Sequence, residues 1–333
     1  MEFRSLGKTG LKVTNLCVGT MTFGNQADKQ TSFEILDKAF DAGVNFIDTA
    51  DVYPIGRQSV DIAGTTESII GEWLGSKRDK VVLATKCFGA MGSGPNDQGL
   101  SRKHIMTAVE ESLRRLKTDY LDLYQAHQLD PITPMDETLR AFDDLVTQGK
   151  VRYIGVSNWR AWQVSKANGI ANRRDYARIV SVQPRYNLLF RMIEDDLVPM
   201  AIDEGIGIIC YNPLAGGLLT GRYNKNSPIA EGTRFGLANN AGKLYQQRYW
   251  QEANFNAVER YQAWCQDLGY DPVTTAVHWV TQQPGITSAI IGASRPEHLE
   301  ASLRAAETAD LTKEDLAWLD ELWFSLPRRR EYN

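Results

Sequence analysis

Eight short apolar segments recur along the chain, and each ends in a polar or small residue. The first seven ends lie 25–41 residues apart, and the eighth follows 81 residues later. Intervals of this size fit one strand followed by one helix. Near-continuous apolar strands are typical of a parallel sheet covered by helices. Eight such units predict an α/β fold, a closed (β/α)8 TIM barrel. The segments end at Thr20, Asp48, Lys86, His127, Asn158, Gln183, Tyr211 and Gly292.

The rest of the pattern agrees with one barrel domain over residues 1–333. Residues 3–13 predict an N-terminal β-hairpin that closes the bottom of the barrel. Helices are predicted at 30–42, 66–74, 102–116, 135–148, 161–171, 194–204, 252–268 and 272–282. Three segments fall outside this alternation of predicted strands and helices, namely 89–99, 214–250 and the tail from residue 325. Long segments of this kind at a barrel mouth usually hold substrate or cofactor, so we expect them on the carboxyl-terminal face.

Composition limits the classes of partner. The formal net charge of −4 argues against nucleic-acid or anionic-membrane binding through a basic face, and the basic cluster 328–330 is too short to change this. No apolar stretch has the length of a membrane span or a signal peptide, so we expect a cytoplasmic protein. The four cysteines lie far apart, without metal-ligand spacing, which predicts reduced thiols and no metal site.

Two neighbouring strand ends and the loop after the first of them point to acid–base chemistry. Asp48 and Lys86 end neighbouring strands, and Tyr53 follows Asp48 in the next loop. A lysine after so apolar a strand needs a partner, and Asp48 is the natural one. The pair alone is equally compatible with an ion pair that only closes the barrel top. An ammonium beside Tyr53 favours its phenolate form, so we expect a lowered pKa and a phenol able to act as general acid and base.

His127 ends the next strand and has two interpretations. A structural histidine would donate to a backbone carbonyl, whereas a functional one would orient a substrate carbonyl oxygen toward Tyr53. Zinc binding is disfavoured because the other histidines lie in helical segments without ligand spacing.

An ordered set of motifs resembles the aldo-keto reductase superfamily from about residue 3 to about residue 307. The set is GTMTFG, IDTADVYPIG, ATK, YQAHQLD, GVSNW, VQPRYNLL, YNPLAGGLLTGRY and IIGASRPEHLEASL. The resemblance implies a barrel that binds NADPH across its carboxyl-terminal face, with Asp48, Tyr53, Lys86 and His127 as the catalytic tetrad. It also implies hydride transfer to a substrate carbonyl, with Tyr53 as the proton donor.

The same resemblance implies which residues contact the cofactor. Ser157, Asn158 and Gln183 match positions that bind the nicotinamide carboxamide, and Tyr211 matches the residue that stacks on the ring. The Gly-rich segment 212–218 suits close approach to a pyrophosphate. The full set of predicted cofactor contacts is Thr20, Met21, Asp48, Ser157, Asn158, Gln183, Tyr211, Asn212, Pro213, Leu214, Ala215, Gly216, Gly217, Leu218, Arg222, Arg234, Gly292, Ser294, Arg295, His298 and Ser302.

The last motif combines a strand end, a turn and a helix start, which together favour an anion such as the adenosine 2′-phosphate. His298, Ala301 and Ser302 stand where the family usually has Gln, Glu and Asn. Arg234 and Arg295 still favour NADP(H), with NAD(H) as the alternative. No G-x-G-x-x-G motif opens a helix, which argues against a Rossmann fold.

The leading hypothesis is therefore an NADPH-dependent reductase of a small-molecule aldehyde or ketone. Two alternatives remain, a Schiff-base aldolase using Lys86 and a cofactor-binding, redox-sensing subunit resembling potassium-channel β subunits. A homo-oligomer is compatible with the sequence. The residues predicted to line the substrate site are Phe23, Tyr53, Phe88, His127, Trp159 and Phe190.

Overall fold

The structure is a computed structural model that describes residues 1–56 and 62–327. Eight parallel strands close into a barrel, in which each strand pairs with the next along the chain and the last pairs with the first. All eight correspond to the predicted apolar segments, so the predicted barrel is confirmed. The barrel strands are β3 (Leu16–Gly19), β4 (Phe46–Asp48), β5 (Val82–Cys87), β6 (Leu121–Ala126), β7 (Val151–Ser157), β8 (Ile179–Gln183), β9 (Gly207–Tyr211) and β10 (Ile286–Ile291).

Helices surround the barrel and bury apolar faces against the outer side of the sheet. Local capping defines several of their starts. Asp28, Ser101, Asp271 and Thr312 each accept a hydrogen bond from a backbone N–H in the first turn of their helix. The helices are α1 (Lys29–Asp41), α2 (Thr65–Leu74), α3 (Arg102–Leu116), α4 (Met135–Thr147), α5 (Ala161–Arg174), α6 (Leu197–Glu204), α7 (Asn239–Tyr249), α8 (Glu252–Leu268), α9 (Pro272–Gln282), α10 (Glu297–Arg304) and α11 (Lys313–Phe324).

The N-terminal hairpin closes the bottom of the barrel, as predicted. It pairs β1 (Phe3–Ser5) with β2 (Lys12–Thr14). Leu6 and Val13 pack inside the barrel with apolar residues of six barrel strands. The turn presses against the chain just before β9, so closely that a Cβ on Gly7 would lie 2.5 Å from the Gly205 carbonyl oxygen. Only glycine fits this contact, and its φ of +58° is also in the left-handed region.

Three predictions about the helices were incomplete. Segment 214–250 is not one loop, because it contains a 3-10 turn at Ala215–Thr220 and then α7. The predicted helix 194–204 begins only at Leu197, after a separate 3-10 turn at Met192–Glu194. Helix α11 was not predicted.

Residues 328–333, with the basic cluster, lie outside the described residues, so the tail is described only to Pro327. None of the helices in the described part of the chain is both long and apolar enough to span a membrane.

Candidate active site at the carboxyl-terminal mouth

A buried ion pair forms the floor of the barrel mouth. Lys86 Nζ lies 2.5 Å from Asp48 Oδ2 and also donates to the Thr49 carbonyl oxygen at 2.7 Å. The Lys86 and Asp48 side chains are 0% and 5% exposed. The other carboxylate oxygen of Asp48 accepts from Gln125 Nε2 at 3.1 Å and from Gln183 Nε2 at 2.9 Å. Both carboxylate oxygens are therefore satisfied by donors on β5, β6 and β8.

Tyr53 and His127 lie above this pair, so the structure brings the four predicted catalytic residues together. The Lys86 ammonium lies 5.1 Å from the centre of the Tyr53 ring. The Tyr53 and His127 rings meet edge to face, with 5.8 Å between their centres. The strand register explains the assembly, because Asp48 pairs with Ala84 and Lys86 pairs with Gln125 at adjacent strand ends.

The charge state of Tyr53 differs from the sequence prediction. Burial raises the pKa of Tyr53 to about 12, although the Lys86 ammonium acts in the opposite direction. The predicted net lowering of this pKa is therefore wrong, because removing the phenolate from water costs more than one ammonium recovers. Tyr53 is a protonated phenol at neutral pH and has a proton to donate.

His127 and Lys86 have equally defined charge states. Burial lowers the pKa of His127 to about 3, and the nearby Lys86 ammonium acts in the same direction. His127 is therefore a neutral imidazole that donates or accepts one hydrogen bond at each nitrogen. Burial alone would lower the pKa of Lys86, but the Asp48 and Tyr53 oxygens raise it overall. A Schiff-base nucleophile must be a neutral amine, so this charge state argues against the aldolase hypothesis.

A second hydrogen-bonded series joins the ends of β6, β7 and β9. Tyr211 donates its hydroxyl proton to Asn158 Oδ1 at 2.8 Å, and Asn158 Nδ2 donates to the His127 carbonyl oxygen at 3.0 Å. Ser157 Oγ donates to the carbonyl oxygen of Gln183 at 2.9 Å. These contacts fix polar side chains around the mouth. They also engage groups that the sequence analysis assigned to a nicotinamide carboxamide.

A cavity of about 730 Å³ opens above the tetrad, within the ~300–1,000 Å³ typical of small-molecule and cofactor sites. Most of the predicted cofactor contacts and three members of the tetrad line it. These residues are Thr20, Met21, Asp48, Tyr53, His127, Ser157, Asn158, Gln183, Tyr211, Asn212, Pro213, Leu214, Gly216, Gly217, Arg222, Arg234, Gly292, Ser294, His298 and Ser302.

The remaining predicted residues lie outside this lining. Lys86 is buried beneath Asp48, Ala215 and Leu218 pack into the core, and Arg295 is exposed. The four predicted aromatic substrate contacts Phe23, Phe88, Trp159 and Phe190 pack against the protein instead. Phe23 is fully buried, and its carbonyl oxygen accepts from Thr66. Large apolar rings gain more from burial in the core than from a solvated mouth, which explains this placement.

Sequence reasoning missed two features of the site. Gln125 was noted only as a polar strand residue, yet it helps to hold the Asp48 carboxylate. Helix α7 was missed altogether, and it brings Leu244, Tyr245 and Arg248 to the cavity. Its polar sequence NNAGKLYQQRY lacks the regular apolar stripe that identifies the other helices. The pair of aromatic residues at Tyr245 and Tyr249, four positions apart, was the one available signal.

The loop after β9 is a compact left-handed turn. Four residues from Asn212 to Gly217 have positive φ, including Gly216 at 71° and Gly217 at 92°. Glycine at these consecutive left-handed positions avoids strain. The turn uses its own N–H groups, because Gly216 donates to Asn212 Oδ1 at 2.6 Å and Gly217 donates to the Leu214 carbonyl oxygen at 2.8 Å. What the turn offers a ligand is therefore close approach to backbone that carries no side chain. Arg222 lies beside this loop, close enough that a Cβ on Gly217 would be 3.1 Å from its guanidinium.

The protein is therefore a closed (β/α)8 barrel with Asp48, Lys86, Tyr53 and His127 gathered at its carboxyl-terminal mouth, below the cavity described above. The sequence model of the Aldo/keto reductase family matches residues 15–323. The chain belongs to this family.

Curated relatives cover nearly the whole chain. An uncharacterized oxidoreductase of Bacillus subtilis is 41% identical, covering 97% of this chain and 96% of its own length. A probable voltage-gated potassium channel subunit beta of Arabidopsis thaliana is 37% identical, covering 99% of each chain. An L-glyceraldehyde 3-phosphate reductase of Escherichia coli O157:H7 is 31% identical, covering 96% of this chain and 92% of its own.

Proposed function

We propose that the protein is an NADPH-dependent reductase that converts an aldehyde or ketone to the alcohol, with Tyr53 as the general acid. The observation that carries this proposal is the position of Tyr53 at the base of the cavity, with its ring centre 5.1 Å from the Lys86 ammonium and 5.8 Å from the centre of the His127 ring. When bound, reduced nicotinamide supplies a hydride to the carbonyl carbon.

The residues of the site provide what such a reduction requires. Tyr53 gives its hydroxyl proton to the carbonyl oxygen as that oxygen gains negative charge. His127 is neutral, so one of its ring nitrogens can donate a hydrogen bond that holds the same oxygen in place. Lys86 is fixed by Asp48 and stabilises the phenolate left on Tyr53. Asp48 is fixed in turn by Gln125 and Gln183, so the ammonium stays in position without leaving a buried charge unpaired.

The remaining groups fit the cofactor. Gln183 uses its Nε2 internally, which leaves its Oε1 as an acceptor for a carboxamide N–H. Tyr211 is anchored through its hydroxyl to Asn158, which fixes the plane of a ring proposed to stack on nicotinamide. Gly216 and Gly217 allow a pyrophosphate to approach the backbone beside Arg222. Ser294, His298 and Ser302 line the same cavity around the start of α10, where the charges of Arg222 and Arg295 act on His298. Arg234 lines the cavity where it contacts Met21 and Tyr245. We assign the adenosine 2′-phosphate to the α10 end, with Arg234 as a further cation, which favours NADP(H) over NAD(H).

Deuterium transfer tests the proposed reaction. NADPH deuterated at nicotinamide C4 should pass one deuterium to the carbinol carbon of a simple aromatic aldehyde, detected in the alcohol by NMR. Alcohol that carries no deuterium at the carbinol carbon, formed at the same rate as with unlabelled cofactor, would contradict direct hydride transfer.

We also propose a cytoplasmic location, which the four buried, unpaired cysteines support.

A second candidate function is a redox-reporting subunit. The relatives named as potassium channel subunits beta favour it, because they match 99% of this chain at 36–37% identity. This function predicts tight NADPH binding with negligible consumption on a broad carbonyl panel. Turnover of any aldehyde at several per second, in the usual enzyme range of ~1–10³ s⁻¹, would favour the reductase.

A further inference from the structure

Helix α7 brings a third phenol to the catalytic end of the cavity. Tyr245 is 7% exposed and lines the cavity together with Tyr53 and Tyr211. Burial raises the pKa of Tyr53 and of Tyr211, and the charge of a Tyr245 phenolate would add to both increases. Such an effect weakens with distance, so the Tyr245 hydroxyl lies close to the other two. Those two belong to the proposed proton donor and to the ring proposed to stack on nicotinamide.

The protein holds the Tyr245 ring but leaves its hydroxyl without a partner. The ring meets Phe235 edge to face, with 6.4 Å between their centres, and the Arg234 guanidinium lies 5.4 Å from the centre of the Tyr245 ring. The ring also packs against Gly216, where a Cβ would lie 3.1 Å from one of its carbons. In the described part of the chain the hydroxyl has no hydrogen-bond partner, and it is not sealed inside the protein. The free hydroxyl of a fixed ring therefore opens into the cavity.

Two neighbouring phenols differ from Tyr245 because the protein satisfies their hydroxyls. Tyr211 donates to Asn158 Oδ1 at 2.8 Å, and Tyr249 accepts from two asparagine side chains at 2.9 and 3.0 Å. A hydroxyl in a mostly enclosed site costs free energy unless a partner replaces the water that it has lost. The Tyr245 hydroxyl can both donate and accept a hydrogen bond, so a ligand of this cavity can supply that partner.

We propose that the Tyr245 hydroxyl forms a hydrogen bond with an oxygen on the carbon next to the reacting carbonyl, so that the preferred substrates are α-hydroxy carbonyl compounds. This proposal rests on the reductase function proposed above. The reacting carbon must lie within reach of both the nicotinamide on Tyr211 and the hydroxyl of Tyr53. A third hydroxyl close to both of these side chains therefore meets a substituent of the adjacent carbon. A site that pairs with a substrate hydroxyl discriminates against the analogue that lacks it, because its own polar group is then left unpaired.

Binding of a matched pair of ketones tests the proposal without turnover. In 2-hydroxyacetophenone a hydroxyl replaces the terminal methyl group of propiophenone, and the two molecules are otherwise the same. Their dissociation constants are measured by calorimetry on the protein loaded with NADP⁺, which has no hydride to give. We expect the hydroxyketone to bind more tightly by about 2- to 12-fold, the range of a neutral hydrogen bond, and Tyr245→Phe to remove the difference. Equal affinities in the parent protein, or an undiminished difference in Tyr245→Phe, would overturn the proposal.

The kinetic counterpart is the ratio of kcat/KM for 2-hydroxyacetophenone to kcat/KM for propiophenone. Tyr245→Phe should lower this ratio by about 2- to 12-fold while the dissociation constant for NADPH changes by less than about twofold. A loss of kcat/KM that is equal for both ketones would mean that the hydroxyl acts on the reacting carbonyl itself, which overturns the proposal. Weaker NADPH binding with an unchanged ratio would assign the hydroxyl to the cofactor and would overturn it as well.

A control variant removes the same atom from the next turn of α7. Tyr249 is 1% exposed, and its hydroxyl is bonded to Asn187 and Asn212, so Tyr249→Phe should leave both the affinity difference and the kinetic ratio unchanged. A fall in Tyr249→Phe as large as in Tyr245→Phe would show that displacement of the helix is the cause, and the proposal would fail.

The two measurements also separate this proposal from the reductase function. If the parent protein reduces no carbonyl compound but binds the hydroxyketone more tightly in a way that depends on Tyr245, the reductase function fails and the Tyr245 site stands. If both ketones are reduced and neither the affinities nor the ratio responds to Tyr245→Phe, the reductase function stands and the Tyr245 site fails.

Discussion

The Lys86–Asp48 pair should dominate the stability of the barrel mouth, and substitution of Lys86 by Met tests this. The change removes the ammonium but leaves Asp48 5% exposed among Gln125, Gln183 and the barrel interior. Removing one partner of a buried pair typically costs about 3–5 kcal/mol, because the other charge is left without compensation. We expect Lys86→Met to lower the free energy of unfolding by about that amount in urea denaturation.

The double variant isolates the unpaired charge as the cause. Asp48→Asn combined with Lys86→Met leaves neither charge of the pair, so the double variant should be more stable than Lys86→Met alone by at least about 1 kcal/mol. Interaction energies between contacting residues in double-mutant cycles are typically ~0.5–3 kcal/mol. As a matched control, Arg140→Met breaks the exposed pair with Asp144 and should cost at most about 1 kcal/mol. The reasoning fails if Lys86→Met costs no more than this control, or if the double variant is the least stable of the three.

Three further predictions concern protons and the cofactor. Lys86→Met should raise the pKa of Tyr53 further, because burial then acts unopposed by the ammonium. Alcohol oxidation should therefore require higher pH. An unshifted pH–rate profile would show that Lys86 is only structural. The His127 pKa of about 3 lies below its ordinary value, so the unfolded chain binds more protons and stability should fall as pH drops from about 6.5 toward 3. The slope from this one group is at most ~1.4 kcal/mol per pH unit, because a single proton is bound. His127→Gln should reduce that slope in denaturation curves, and an identical slope would contradict the assignment. Arg234→Gln should weaken NADPH binding by about 10- to 150-fold and NADH binding by less than about threefold. The exposed Arg295 should contribute less to NADPH binding. Equal losses of affinity for both cofactors in fluorescence titrations would mean that Arg234 contacts the part of the dinucleotide that the two cofactors share.

The barrel was predictable because its signal is periodic and one-dimensional. Each apolar strand ends in a polar residue, and closure of the sheet brings those ends to one face. This is why the sequence alone predicts that Asp48, Lys86 and His127 lie together at one face of the barrel. The hairpin was equally clear, since a short Gly-containing turn joins its two strands.

The features missed by sequence reasoning depend on tertiary contacts. Helix α7 is polar on most sides, and its position over the mouth is set by contacts such as Arg234 with Tyr245 rather than by local pattern. Aromatic residues near strand ends looked suitable for substrate, but the extent of burial that directs Phe23 and Trp159 into the core cannot be seen in a sequence. The predicted lowering of the Tyr53 pKa was wrong for the same reason. The sequence shows the neighbouring charge of Lys86, but it does not show how far burial removes the phenol from water.

The most direct test of the central claim is the turnover of Tyr53→Phe with NADPH and an aldehyde that the parent protein reduces, measured under conditions where chemistry limits the rate. The substitution removes only the proposed proton donor, and general acid catalysis typically contributes about 10²- to 10⁴-fold. We predict that kcat falls by a factor in that range while the dissociation constant for NADPH changes by less than about threefold, because the hydroxyl acts on substrate oxygen. A variant that retains more than about half of the parent kcat would contradict the assignment of Tyr53 as the general acid.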